Sequence, residues 1–240
     1  MTRELDRVVA ITGASSGIGA ATAKALIAVG ARVVLGARRI DRLDDIAQSL
    51  GREQTEVVEM DVRRPEDSRK LVQKAVDRFG KLDAFVANAG IGRYGGILDY
   101  SDEECAEIMD ANFAGTVWGV RAAVPALLAG GGGDLVIVAS VAGMRGASFE
   151  AVYAGTKSAQ IGFAGAIDRE LRPKNIRVST ICPAGVGTEF AIGAGRTEGD
   201  PFLKELLQGE DVAQAIVTVL GQPSHLRTTQ WVIWPMSQES

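Results

Sequence analysis

Thr12-Gly13-Ala14-Ser15-Ser16-Gly17-Ile18-Gly19 follows the apolar run Val8-Val9-Ala10-Ile11 and leads into residues 20–29, which read as a helix. A buried strand that turns through glycines straight into a helix leaves backbone N–H groups and the positive end of the helix dipole facing outward, where a phosphate sits well. Glycine is needed there because a side chain would clash with the turn or hold the ligand away. The stretch therefore predicts the first strand-to-helix turn of a parallel sheet, with a nucleotide on it.

The chain on either side agrees. Short apolar runs at 32–36, 56–60, 82–86, 135–138, 177–181 and 230–233 alternate with helical periodicity at 41–50, 65–79, 152–171 and 211–220. Ser101-Asp102-Glu103-Glu104 is a capping box and predicts one long helix running to about residue 128 despite Pro125. Strands that are short and apolar on both faces require a sheet covered on both sides. The expected fold is α/β: a single Rossmann-type doubly wound domain over residues 1–240, with a seven-stranded, mostly parallel sheet. The glycine run Gly130–Gly133 precedes a strand and reads as a flexible connector. Residues 184–208, rich in glycine with one apolar segment at Phe202-Leu203, read as an irregular substrate lid with one short helix.

Composition excludes several functions. A net charge of −4 over 240 residues lacks the basic field that non-specific nucleic-acid binding requires. Cys105 and Cys182 are too far apart for a zinc motif and read as core thiols; His225, the only histidine, reads as a loop residue, so a histidine triad or metal site has no material. The charged N-terminus Met1-Thr2-Arg3-Glu4-Leu5-Asp6-Arg7 does not resemble a signal peptide and no apolar run is long enough to span a membrane. The expectation is a cytoplasmic protein with no membrane or nucleic-acid partner and no metal.

Two constellations carry chemistry. At the end of the second strand, where an acidic residue usually holds the ribose hydroxyls, the chain reads Gly36-Ala37-Arg38-Arg39. Two guanidinium groups and no carboxylate suit a 2′-phosphate, which favours NADP(H) over NAD(H). Asp61, after the third strand, fits either an acceptor for the adenine amino group or a turn residue. Tyr153 and Lys157 stand four residues apart on one helix face, so an ammonium is expected to draw the phenol toward the operating pH as a general acid/base. Ser140, at a strand end, offers a hydroxyl to the same oxygen. On the opposite side Gly155, Ala159, Gly162 and Ala166 form a stripe of small residues, which fits packing within the chain or, as preferred here, a homodimer interface, with a homotetramer reached through the last strand.

Taken together these motifs resemble the short-chain dehydrogenase/reductase family along essentially the whole chain, and Arg38-Arg39 with Arg42-Leu43 resembles its NADP-preferring branch. The resemblance implies that Gly13, Ser15, Ser16, Gly17, Ile18 and Gly19 cradle the cofactor phosphates. Arg38 and Arg39 would read the 2′-phosphate, and Asp61, Val62, Asn88, Ala89 and Gly90 would flank the adenosine half. Pro183, Gly185, Val186 and Thr188, with Tyr153 and Lys157, would hold the nicotinamide half. It also implies that Asn112, Ser140, Tyr153 and Lys157 form the catalytic set. Tyr153 would protonate the carbonyl oxygen of a small ketone or aldehyde, Ser140 would orient it, and Lys157 would lower the Tyr153 pKa and bind the ribose. Asn112 would hold a water that relays protons to Lys157; read without the family, Asn112 is a helix-surface amide. The chain departs from the pattern at Ala87 and at Pro183-Ala184-Gly185, which bears on how Thr188 reaches the nicotinamide. The ending Trp234-Pro235-Met236-Ser237-Gln238 resembles members acting on small hydroxy acids or aldehydes. The substrate pocket is assigned to residues 141–150, Arg93-Tyr94 and the lid, with Arg93 and Arg145 either partners for a carboxylate or solvated charges. The rival reading is a catalytically silent NADP-binding regulatory protein, which would be expected to lose Tyr153 or Lys157; both are present.

Overall fold

The structure is a computed structural model that describes residues 5–239; Met1–Glu4, part of the charged N-terminus considered above, and Ser240 lie outside the described residues. Alternation of strand and helix proceeds as β1 (Val8–Thr12), α1 (Gly17–Ala28), β2 (Arg32–Ala37), α2 (Ile40–Leu50), β3 (Thr55–Glu59), α3 (Pro65–Phe79) and β4 (Ala84–Ala87). The chain continues through α4 (Asp102–Met109), α5 (Gly115–Ala129), β5 (Gly133–Val138), α6 (Ala151–Leu171), β6 (Ile176–Pro183), α7 (Gly209–Leu220) and β7 (Gln230–Ile233). The strands form one seven-stranded sheet in the order β3-β2-β1-β4-β5-β6-β7. Every pairing is parallel, so the sheet is wholly rather than mostly parallel.

Successive residues of a strand point to opposite faces, and the sequence supplies apolar residues for both. Val9 and Ile11 join Leu26 of α1 and Val212 and Ile216 of α7 in one core, while Val8 and Ala10 join Leu71 of α3, Leu127 of α5 and Leu171 of α6 in the other. The order reverses between β1 and β4, and a crevice opens at their carboxyl ends. At the opposite end of the sheet, Asp134 is buried between Arg7 (2.5 Å) and Arg177 (2.6 Å), a pair of contacts that fixes the base of three strands. No helix among the described residues is long and apolar enough to cross a membrane.

The structure corrects three local expectations. The long helix opened by the Ser101–Glu104 capping box is interrupted by a π turn at Asp110–Ala114, in which the Gly115 N–H reaches back to the Asp110 carbonyl. The glycines before β5 form a packed turn and not a loose connector: Gly131, Gly132 and Gly133 take positive φ, and a Cβ on Gly132 would strike the Asn175 carbonyl. Cys182 is buried as expected, but Cys105 on α4 is only half-buried.

Candidate active site

The glycine turn is built as the sequence requires, with a refinement. Gly13 and Gly17 take φ of +68° and +52°, open to glycine at little strain. Close approach also demands glycine at Gly13 and Gly19: a Cβ on Gly13 would lie 2.7 Å from Ala89 Cα in the loop after β4, and one on Gly19 would strike the Gly13 carbonyl oxygen and lie 2.7 Å from Asn88 Nδ2. Asn88 locks that approach by donating Nδ2 to the Thr12 carbonyl (2.9 Å) and the Gly13 carbonyl (3.2 Å), while Thr12 Oγ1 accepts from the N–H groups of Asn88 and Ala89, each at 3.1 Å. Ser16 caps α1 without a side-chain bond and no acidic residue sits in its first turn, so the positive helix end faces the crevice unopposed.

One cavity of about 790 Å³ runs from this turn along the carboxyl edge of the sheet. It begins at Gly13, Ser15, Ser16, Gly17 and Ile18, passes Arg38, Arg39, Asp61 and Val62, and continues by Asn88, Ala89 and Gly90. It then reaches Ser140, Tyr153, Lys157, Pro183, Gly185, Val186 and Thr188. Gly19 and Asn112 stand behind the wall. Beyond Pro183-Ala184-Gly185, the Thr188 side chain packs over the turn 3.1 Å from the point where a Cβ on Gly17 would lie. A cavity that joins an uncapped helix start to a distant cluster of polar side chains fits a long, phosphate-bearing ligand such as a dinucleotide.

At the far end of β2 the two arginines part company. Arg39 bends over the turn, donating to Ser15 Oγ (3.1 Å), Ser16 Oγ (2.8 Å) and Glu189 Oε2 (3.0 Å). Arg42 donates to both Glu189 oxygens, and the two guanidinium groups, Arg42 foremost, hold that carboxyl below its usual range. Arg38 is exposed and makes no hydrogen bond among the described residues. Of the two arginines that the sequence assigns to a 2′-phosphate, Arg39 shares the Glu189 carboxylate with Arg42, and Arg38 holds none among the described residues. Asp61 borders the cavity and is held by Arg63, which contacts both its oxygens and keeps it well ionised.

The acid/base end is assembled from β5, the turn after it and α6. Ser140 closes β5; a 3₁₀ turn, Val141–Gly143, follows and packs against α6 so tightly that a Cβ on Gly143 would lie 2.6 Å from the Lys157 carbonyl carbon. Ser158 Oγ donates to the Gly143 carbonyl at 2.8 Å, and Ser140 Oγ, beside Tyr153, accepts from the Ala142 N–H (3.1 Å) and donates to the Pro183 carbonyl (3.3 Å). Burial drives the Tyr153 hydroxyl above its ordinary value, with the Ser140 bond opposing. The Lys157 ammonium donates to the Val138 carbonyl at 2.8 Å and lies 5.6 Å from the Tyr153 ring centre, and burial brings its pKa down to about 8. Tyr153 is therefore held as a neutral phenol, a proton donor.

Asn112 is the largest departure from a residue-by-residue reading. It is fully buried in the π turn, accepting from Ile91 N–H (2.8 Å) and donating to the Ile91 carbonyl (2.9 Å) and Thr156 Oγ1 (3.0 Å). Its backbone carbonyl accepts from Thr116 Oγ1 (2.7 Å) and Gln160 Nε2 (2.8 Å). What Asn112 does is fix Gly90-Ile91: a Cβ on Gly90 would lie 3.2 Å from its Oδ1 and 3.7 Å from Lys157 Nζ.

Several residues escape sequence reasoning. Phe190 wedges between Gly92 and Tyr153, its ring 5.4 Å from that of Tyr153; Glu189 and Arg196 come from the same irregular segment; Gln160 sits behind Asn112. Only Gly143, following a strand that ends in the candidate serine, left a local signal. The stripe Gly155, Ala159, Gly162 and Ala166 faces away from the chain: no atom lies within 4 Å of a Cβ on Gly155 or Gly162, which removes the intrachain packing alternative. No cluster of metal-ligating side chains occurs among the described residues.

A family model described as short chain dehydrogenase matches residues 7–199. An uncharacterized oxidoreductase of Staphylococcus haemolyticus is 36% identical over 239 residues, covering 98% of this chain and all of the relative. Among solved structures, an alcohol dehydrogenase from the archaeon Thermococcus sibiricus, complexed with 5-hydroxy-NADP, superposes with a TM-score of 0.88 at 29% identity, covering 98% of each chain. The closed form of a serine dehydrogenase complexed with NADP+ does so with a TM-score of 0.90 at 26% identity, covering 97% of this chain and 96% of that one.

Proposed function

This chain belongs to the short-chain dehydrogenase family, and from that premise we propose that it is an NADP(H)-dependent oxidoreductase that interconverts a small ketone or aldehyde and the corresponding alcohol. The single observation that carries the reading is that Ser140, Tyr153 and Lys157 open onto the same cavity as the uncapped glycine turn. The cofactor, when bound, supplies or takes up the hydride at the carbonyl carbon. Tyr153, held protonated by burial, gives its proton to the carbonyl oxygen. Ser140, exchanging the long bond it donates to the Pro183 carbonyl (3.3 Å), donates a second hydrogen bond to that oxygen and so fixes its direction. Lys157, with a pKa near 8, is the group best matched to neutral pH for returning a proton to Tyr153, and it borders the cavity where a ribose would lie.

NADP(H) is favoured over NAD(H) by Arg38 and Arg39 at the end of β2 and by the lack of a carboxylate on that strand end; the NADP-bound relatives agree with this choice. Residues 184–208 act as the lid, the open small-residue face of α6 is where we place the contact of a homodimer or homotetramer, and the cytoplasm is the proposed location. The test is a fluorescence titration with NADPH and NADH on the parent and Tyr153→Phe. NADPH binding in both, with reductase activity lowered about 10²- to 10⁴-fold in the variant, is expected. Retention of most activity by Tyr153→Phe overturns the mechanism; binding without any turnover on a broad carbonyl panel restores the regulatory reading.

A further inference from the structure

Arg196 is a cation in the cavity that the chemistry above leaves unused. It reaches in from the irregular segment after β6, where it donates to the Val186 carbonyl at 2.8 Å and to Tyr94 Oη at 3.4 Å. Its guanidinium carbon lies 5.7 Å from the Tyr94 ring centre and 5.8 Å from that of Phe190. Two rings and two acceptors hold a planar group in one orientation before any ligand arrives. The Phe190 ring that flanks it also packs on Tyr153, so the guanidinium stands one aromatic ring away from the proton donor. Its positive charge is felt there, opposing the effect of burial on the phenol.

The residue is half-buried and forms no ion pair with a carboxylate among the described residues. A partly desolvated charge without a partner is unfavourable unless something else brings the counter-ion. The other candidates are already satisfied or misplaced: Arg93 is paired with Glu104 at 2.6 Å, Arg39 and Arg42 share Glu189, and Arg145 is exposed, stacked on Trp234 with its NH2 on the Glu239 carbonyl. Glu150, the anion on the Tyr153 side, accepts from the Ala147 N–H and does not bridge to Arg196.

We propose that Arg196 anchors a substrate carboxylate, so that the compounds reduced at Tyr153 are short oxo acids and the alcohols formed are hydroxy acids. The proposal rests on the oxidoreductase reading and narrows its substrate class. A bidentate guanidinium–carboxylate contact discriminates against the same molecule without its charge, because the neutral analogue leaves the cation unpaired.

The test pairs 2-oxo and 3-oxo acids of three to six carbons with their methyl esters, using NADPH and the parent, Arg196→Met and Arg196→Lys. The parent is expected to prefer the acid over its ester about tenfold or more in kcat/KM. Arg196→Met is expected to lower that ratio about 10- to 100-fold, chiefly through KM, with partial rescue in Arg196→Lys. Calorimetry of NADPH-loaded protein with malonate gives a second readout: binding to the parent and at least tenfold weaker binding to Arg196→Met. Equal acid-to-ester ratios in parent and variant, or malonate binding that the variant does not change, overturn the anchor and leave the reductase reading standing. No NADPH oxidation with any acid or ester, alongside malonate binding that depends on Arg196, overturns the reductase reading and supports the anion site by itself.

Discussion

Asn112→Ala removes the buried amide that ties the π turn to the loop after β4. Three hydrogen bonds disappear, to the Ile91 N–H, the Ile91 carbonyl and Thr156 Oγ1. Each is worth about 1 kcal/mol net, and the backbone groups left behind are buried, so the loss of stability is about 3 kcal/mol. For a chain of this size 1 kcal/mol moves the melting temperature by roughly 2–4 °C, which places the expected drop at about 6–12 °C. The loop also positions Gly90, which passes close to both Asn112 and Lys157, so NADPH binding is expected to weaken severalfold in the folded variant. Thermal unfolding followed by circular dichroism reads the first effect, and nicotinamide fluorescence at a temperature well below the transition reads the second. A melting temperature within about 2 °C of the parent would refute the assignment of these bonds as the fastening of the β4 loop.

Two further outcomes follow from charges near the cavity. Glu189→Gln removes the carboxylate that Arg39 and Arg42 share at the 2′-phosphate end. These pairs are largely exposed, so stability should change by less than about 1 kcal/mol. NADPH should bind about three- to tenfold tighter while NADH is unaffected; isothermal titration checks this, and an unchanged NADPH affinity contradicts it. Lys157 has its pKa lowered by burial to about 8. Below pH 8 the folded chain carries a buried cation that the unfolded chain hydrates freely, and between pH 8 and about 10.5 the unfolded chain binds the proton that the folded chain has released. The penalty is therefore full below pH 8 and is relieved as pH rises. Melting temperatures of the parent and Lys157→Met should shift relative to one another in favour of the parent over that interval; a difference constant with pH would show that Lys157 is not desolvated as the structure has it.

Sequence alone determined what depends on local spacing. The strand-to-helix turn at Thr12–Gly19, the alternation that demands a parallel sheet, the capping box at Ser101 and the Tyr153/Lys157 pair on one helix face are all written within a few residues of one another, and local backbone geometry follows from local composition. Tertiary structure decided what depends on partners far apart in the chain. Asn112 reads as a surface amide until Ile91 and Thr156 close around it, and the π turn that buries it has no signature in Asp110–Ala114. The upward shift of Tyr153 is set by burial, and the Lys157 ammonium finds its acceptor on Val138 of β5, neither of which a four-residue spacing encodes. Glu189, Phe190 and Arg196 lie in a glycine-rich segment without periodicity, and they gain meaning only where the fold lays that segment against Arg39, Tyr153 and Tyr94. Short-range pattern fixes the backbone because each turn closes on itself, whereas solvation and charge pairing belong to the assembled cavity.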